Sequence, residues 1–130
     1  MKFNVNIKFF IIIVFMLLAS CGQSITSDRK YIAIDWKTGE PEQNGTWVVS
    51  NGWLIAQGQF KGKMESYSSP VDNCSGFETS FISKMQFFIC KATKDFEYQG
   101  NKITSGTIYA KEIMSPSGAQ WVTISKLKSE

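Results

Sequence analysis

The sequence predicts a mainly β fold: a small antiparallel sandwich or barrel of about six to seven strands, with one short helix as an option. Three observations predict it. An Asn51-Gly52 pair lies between two runs of β-forming residues. Apolar and polar residues alternate in several short segments, and turn-forming residues recur at close intervals. A barrel would also remove the open edges through which sheets aggregate. At 130 residues the chain is long enough for one domain.

The first element is a targeting segment, residues 1–20. Lys2 and Lys8 make a positive start, and Phe9 to Leu18 form an unbroken apolar run of ten residues. A membrane-spanning helix needs about 20, so the run has the length of a secretory signal instead. Ala19, Ser20, Cys21 and Gly22 follow. The stretch Leu18-Ala19-Ser20-Cys21 resembles the lipobox of bacterial lipoproteins. That resemblance implies cleavage before Cys21, diacylation of its sulfur with palmitate-type chains, and acylation of the new amine. Several chains hold a protein firmly where one gives only marginal binding. Gly22 stands where enteric bacteria place the Asp that retains lipoproteins in the inner membrane. The resemblance therefore implies the outer membrane, in a host that has one. Residues 21–30 are polar and read as a lipidated flexible tether ahead of a β-rich domain at 31–127.

Charge narrows the partners. Lys2 and Lys8 fall in the targeting segment and no acid does, so the 14 basic residues become 12 against 11 acidic ones. Arg29 is the one arginine, and the lysines are scattered among acids. Nucleic-acid binders concentrate such residues on one face, so a nucleic-acid partner is not expected.

With Cys21 assigned to lipid, Cys74 and Cys90 remain. Export to an oxidising compartment makes a disulfide the expected state, the alternative being two reduced, buried thiols. Closing a loop of about 15 residues contributes roughly 3 kcal/mol in the chain-entropy model. Fifteen intervening residues is not a C-x-x-C motif, and there is no histidine to complete a zinc site.

Within the domain, Tyr31 to Trp36 alternate, with Ile32, Ile34 and Trp36 on one face, and Lys37 to Gly45 read as loop. The hairpin at Asn51-Gly52 sets a register: Ser50 opposite Trp53, Val49 opposite Leu54, Val48 opposite Ile55, Trp47 opposite Ala56. Trp47, Val49, Leu54, Ala56 and Phe60 then form the better core face. Val48, Trp53 and Ile55 form a second apolar face that must be covered or must bind something. Gly58 and Gly62 suggest bends, and residues 66–76 read as loop. Phe77 to Lys94 fits a helical stripe, with a capping box from Ser75 to Glu78, but Met85, Phe87 and Ile89 also fit a strand. A helix from 75 to 90 would hold its ends about 22 Å apart, whereas disulfide Cα atoms lie within about 7 Å. A strand near 84–93 and at most a short helix near 76–83 satisfy both. Tyr98 to Asn101 form a turn, Lys102 to Met114 a long strand, Ser115 to Gly118 a turn, and Trp121 to Leu127 a closing strand.

The chemistry points away from an enzyme. Without histidine there is no Ser-His-Asp or Cys-His machinery, and no phosphate-cradling glycine loop opens a helix. Asp95 and Glu97 are two apart, and Glu40 and Glu42 flank Pro41. Such pairs suit a cell-wall glycan hydrolase, but solvated surface acids are the simpler reading. No catalytic residue, metal ligand or cofactor is assigned. Trp36, Trp47 and Trp121 are expected in the core. Trp53, beside its turn, is also expected there but is a candidate partner contact, as is Tyr67.

Ser117-Gly118-Ala119-Gln120-Trp121 is similar to the Ser-Gly-Ala-x-aromatic stretch of the membrane-bound C-type lysozyme inhibitors, small β-barrel proteins whose loop enters the lysozyme cleft. The resemblance covers five residues and implies Ser117 as a contact residue. That family's later Trp-x-Lys-Gly stretch and closing cysteine are absent here. The sequence thus leads to a lipid-anchored envelope module that binds a protein or an envelope polymer, with lysozyme inhibition and glycan hydrolysis as alternatives.

Overall fold

The structure is a computed structural model that describes residues 24–79, 84–115 and 119–130. Cys21 and the stretch that resembles a lipobox, Phe81 and Ser117 lie outside the described residues. Eleven strands are present among those described: β1 (Arg29–Ile34), β2 (Pro41–Ser50), β3 (Trp53–Ala56), β4 (Phe60–Lys63), β5 (Glu65–Ser68), β6 (Asp72–Glu78), β7 (Lys84–Ala92), β8 (Phe96–Tyr98), β9 (Asn101–Ile103), β10 (Ile108–Ser115) and β11 (Trp121–Ser129). Nine form one sheet in the order β4-β3-β2-β1-β11-β10-β7-β6-β5. All its pairings are antiparallel.

The two ends of that order, β4 and β5, are consecutive in the chain, with only Met64 between them. One bent run of chain therefore joins both edges of the sheet, which curls into a nearly closed barrel. At the seam, Gly62 of β4 lies against Phe77 of β6, so close that a Cβ there would sit 2.4 Å from the ring.

The Asn51-Gly52 hairpin has the register read from its sequence, from Ser50 opposite Trp53 to Trp47 opposite Ala56. Both turn residues are left-handed, with φ of 51° and 78°, as a two-residue hairpin turn requires. Trp47, Val49, Leu54 and Ala56 point into the barrel and are buried. Tyr31, Ala33, Phe77, Phe87, Ile89, Ala110 and Leu127 complete this interior. Its aromatic centre is Phe87, whose ring lies 4.8 Å from Phe60, 5.3 Å from Phe77 and 6.1 Å from Trp47. Each such side chain contributes roughly 1.5–3 kcal/mol by burial. On β1 the core face is Tyr31 and Ala33, while Ile32 and Ile34 are only half-buried.

A second core lies outside the barrel wall. Phe88, Cys90 and Tyr109 face outward from β7 and β10 and are covered by the β8-β9 hairpin, which contributes Phe96, Tyr98 and Ile103. The Tyr98 hydroxyl donates to the Val122 carbonyl at 3.3 Å, and Trp36 Nε1 donates to the Ile124 carbonyl at 3.2 Å. Coverage on both faces explains why four consecutive residues of β7, Phe87 to Cys90, are buried.

Cys74 and Cys90 are joined in a disulfide and are direct cross-strand partners on β6 and β7, with Cα atoms 3.9 Å apart. This arrangement excludes the helix over 75–90, as the distance argument requires. The short helix near 76–83 is not present among the described residues: Gly76 to Glu78 continue β6, and residues 80–83 are outside the description. The expected loop at 66–76 is instead two strands and a tight link. There the Ser69 N–H donates to the Asp72 carbonyl, and the Asp72 N–H donates to Ser69 Oγ. Serine, asparagine and aspartate rank low as strand formers, but burial of Cys74, Ser75 and Gly76 between neighbouring strands overrides that preference. The long strand expected at Lys102–Met114 is broken by a turn at Thr104–Thr107, where Gly106 has a φ of 90°. These splits, together with the short β4, β8 and β9, raise the count from the expected six or seven strands to eleven among the described residues.

Candidate functional site

The barrel has two unlike ends. The described chain enters at one of them. Ser24 to Asp28 sit beside the Asn51-Gly52 turn, where Asp28 Oδ1 accepts from the Asn51 N–H at 2.8 Å. Strand β1 already begins at Arg29, within the stretch read as a tether, and Ile25 packs against the barrel core. The opposite end carries the Asp35–Glu40 link, the Gln57–Gln59 turn, the end of β6, the end of β10 and the start of β11.

That opposite end is built by inward-facing positions of three neighbouring strands. Cross-strand register stacks them in rows: Ile89, Ala110 and Ser125; then Phe87, Glu112 and Thr123; then Met85, Met114 and Trp121. Alternation keeps each row on the barrel side of the sheet. Exposure rises along the stack, from 0 % at Phe87 to 36 % at Met114 and 62 % at Trp121. The outermost row is thus an apolar rim of two methionines and a tryptophan. Trp121 was expected in the core and is instead the most exposed of the large apolar side chains among the described residues. The strand runs past the barrel wall here, so its inward face meets the mouth rather than the packed interior.

Glu112 lies one row inside the rim. The Gln57 side-chain amide donates to its carboxylate from the far side of the mouth. Burial raises the Glu112 pKa; the Gln57 bond opposes this and the charge of Glu42 adds to it, leaving a net upward shift. A carboxyl so placed holds its proton more readily than a solvated one. Glu112 was not picked out by sequence reasoning. The signal was available only after β10 had been placed, because Ile108, Ala110, Glu112 and Met114 share the inward face.

The residues singled out from sequence do not gather in one place. Trp53 is 43 % exposed rather than buried, and it lies at the chain-entry end. Tyr67, on β5, rests edge-on against Phe88 with ring centroids 5.1 Å apart, and its hydroxyl donates to the Glu65 carboxylate at 2.9 Å. It borders a groove of about 440 Å³ along the seam, lined also by Lys61, Lys63, Glu65, Phe77 and Glu78. Asp95 precedes β8 and is occupied by a structural bond, its Oδ1 accepting from the Ser105 N–H at 2.7 Å. Glu97 is exposed opposite Lys102 on β9. Glu40 and Glu42 are both exposed.

One further cluster lies beside the disulfide. Asp72 is buried, and one of its carboxylate oxygens lies within 4.8 Å of the Cys74 and Cys90 sulfurs. Both sulfurs are bonded to each other, so they offer no thiolate pair to a metal. Asp72 accepts instead from Ser69 Oγ, from the Tyr109 hydroxyl at 2.8 Å and from Lys111 Nζ at 3.5 Å.

Comparison of the chain with family models, with curated proteins and with solved structures found no match.

Proposed function

We propose that the protein is a lipid-anchored module of the cell envelope that binds a protein or an envelope polymer through the rim formed by Met85, Met114 and Trp121. One observation carries this reading: three large apolar side chains stand in a row at the mouth of an otherwise well-packed barrel, with Trp121 62 % exposed. Tryptophan and methionine are enriched where proteins bind partners, and a single tryptophan often dominates the binding energy. The rim is also remote from the chain-entry end. Trp121 is eight residues along β11 from Ser129, which pairs with Tyr31 near that entry. At strand geometry this separates them by about 26 Å. A chain held to a bilayer through lipid on Cys21 would therefore present Trp121 away from the lipid.

The test is crosslinking in intact cells followed by isolation of the full-length protein. One protein or one polymer is expected to be recovered with the wild type. Trp121→Ala is expected to lower that yield by about tenfold, corresponding to a contact of the size typical of interface tryptophans. Recovery of lipid alone, or an unchanged yield with the variant, would reject the reading.

A second reading shares this end of the molecule. The stretch similar to the lysozyme inhibitors, Ser117 to Trp121, ends on the rim residue that opens β11. If that reading holds, the purified protein slows lysozyme at equimolar concentration and Ser117→Arg relieves the effect. Full lysozyme activity in the presence of excess wild-type protein would discard it.

A further inference from the structure

The outward face beside the chain entry has a composition that the rim does not explain. Cross-strand pairing aligns Lys30, Val48, Ile55 and Lys61 in one row, and Ser50, Trp53 and Lys63 in the next. Val48 and Ile55 are half-buried, Trp53 is 43 % exposed, and the three lysines are exposed. Lys61 Nζ lies 5.4 Å from the centre of the Trp53 ring. Lys30 is held to Glu130 at 2.8 Å. The face is therefore an apolar strip with an indole at its edge and ammonium groups around it.

We infer that this strip, centred on Trp53 with Lys61 and Lys63, is a membrane-contact surface that seats the barrel on an anionic lipid headgroup layer. The inference rests on the lipid anchoring of Cys21 proposed above. Three observations favour lipid over any other occupant. First, only residues 21–23 separate Cys21 from Ser24, where the described chain begins. Three residues span at most about 11 Å, too little for a folded partner to fit between bilayer and barrel. Second, Ser24 to Asp28 are fastened to this end rather than free. The Ser27 N–H donates to the Ser24 carbonyl, Ile25 packs on the core, and Asp28 accepts from the Asn51 N–H two residues before Trp53. Lys63 is as close, since it pairs with Trp53 and the next residue, Met64, donates its N–H to the Gly52 carbonyl. Third, the chemistry matches a bilayer interface. Tryptophan settles at the level of the headgroups, with its ring among apolar neighbours and its N–H in a wet layer. Lysines within a Debye length of anionic lipid are drawn to it, and their stems cover apolar surface. A strip on the outer wall would seat the barrel with its axis inclined to the bilayer, and the Trp121 rim, at the far end of β11, would stay clear of the lipid. The second apolar face of the hairpin would then be covered by lipid rather than by protein.

The positions of the four tryptophans make the test selective. Trp47 is inside the barrel, Trp36 is half-buried under Ile124, and Trp121 is at the far end. The acylated full-length protein, extracted from bacterial membranes, is reconstituted into vesicles of equal parts phosphatidylcholine and phosphatidylglycerol. The acyl chains of these lipids are brominated close to the glycerol. Tryptophan emission is expected to be quenched relative to unbrominated vesicles. Trp53→Phe should remove most of that quenching, and Trp121→Phe should leave it unchanged. Replacing Lys61 and Lys63 by Gln together should reduce it. Protein that floats with the vesicles but shows no quenching, or keeps it after Trp53→Phe, overturns the inference and leaves the anchor intact. Protein that does not float with the vesicles overturns the anchor and this surface together.

Discussion

Replacing Gly76 with alanine is expected to cost at least about 4 kcal/mol of folding stability, a large fraction of what holds a domain of this size together. Gly76 sits on β6 opposite Phe88, between the disulfide at Cys74 and the core residue Phe77. A Cβ at this position would lie 1.8 Å from the Phe87 carbonyl oxygen and 2.7 Å from both the Phe87 carbonyl carbon and the Phe88 Cα. All three are backbone atoms of the neighbouring strand, so no side chain can rotate to make room. The β6-β7 ladder would have to part within two residues of the disulfide that ties the same strands together. Phe87, the aromatic centre of the barrel, would be displaced with it. Gly62→Ala is the informative comparison. There the clash is with the Phe77 ring rather than with backbone, and a ring can tilt, so a cost of about 1–3 kcal/mol is expected. Urea unfolding of the oxidised proteins measures both. A Gly76→Ala protein within about 1 kcal/mol of wild type would show that the two strands are not this close.

How much of this could be read from sequence depends on whether the signal is local. The Asn51-Gly52 hairpin was legible down to its register, because turn chemistry and flanking alternation specify it without reference to the rest of the chain. The Cys74–Cys90 bridge was legible because elimination left one pair. It in turn decided between helix and strand for residues 84–92. The strands β5 and β6 were not legible. Ser66, Ser68, Asn73 and Ser75 carry turn-like preferences, and they are extended only because β6 is held between β5 and β7. The second core was hidden for a related reason: whether Phe88 and Cys90 face solvent or a covering hairpin depends on where β8 and β9 fold back. The exposed rim was missed because a tryptophan on a strand looks the same in sequence whether its row lies in the packed centre or at the mouth. Trp47 and Trp121 differ only in that position. The second face of the hairpin, by contrast, was recognisable from Val48, Trp53 and Ile55 as needing a cover, though nothing local said which.

Asp72→Ala is expected to destabilise the fold by about 3 kcal/mol, because its carboxylate is the shared acceptor of an otherwise enclosed polar cluster. The Tyr109 hydroxyl donates to it at 2.8 Å from the second core, and Lys111 Nζ lies 3.5 Å away. Removing the acceptor would leave a buried hydroxyl unsatisfied and an ammonium group, 29 % exposed, without its counter-ion. Partial exposure of Lys111 keeps the expected cost near the lower end of the range for broken buried pairs. Asp72→Asn, which retains an oxygen for Tyr109, should lose less. The same cluster makes stability depend on pH with a definite sign. Burial acts to raise the Asp72 pKa, but the hydrogen bonds from Ser69 and Tyr109 and the charge of Lys111 outweigh it, so the net shift is downward from 3.8. The folded state therefore binds this proton less readily than the unfolded chain. Its contribution is complete above the ordinary aspartate range and is lost as pH falls through the depressed folded value. Tyr109 stays a donor throughout, since burial, its bond to Asp72 and the Asp72 charge all push its own pKa upward. Urea midpoints measured from neutral pH down to about pH 2 should fall for the wild type. They should fall less for Asp72→Ala. The lowered pKa of exposed Asp35, set by N–H groups of Thr38 and Lys37, is common to both proteins and cancels in the difference. Parallel acid limbs for the two proteins would mean that Asp72 is not ionised in the folded state, and that the cluster is held by neutral hydrogen bonds alone.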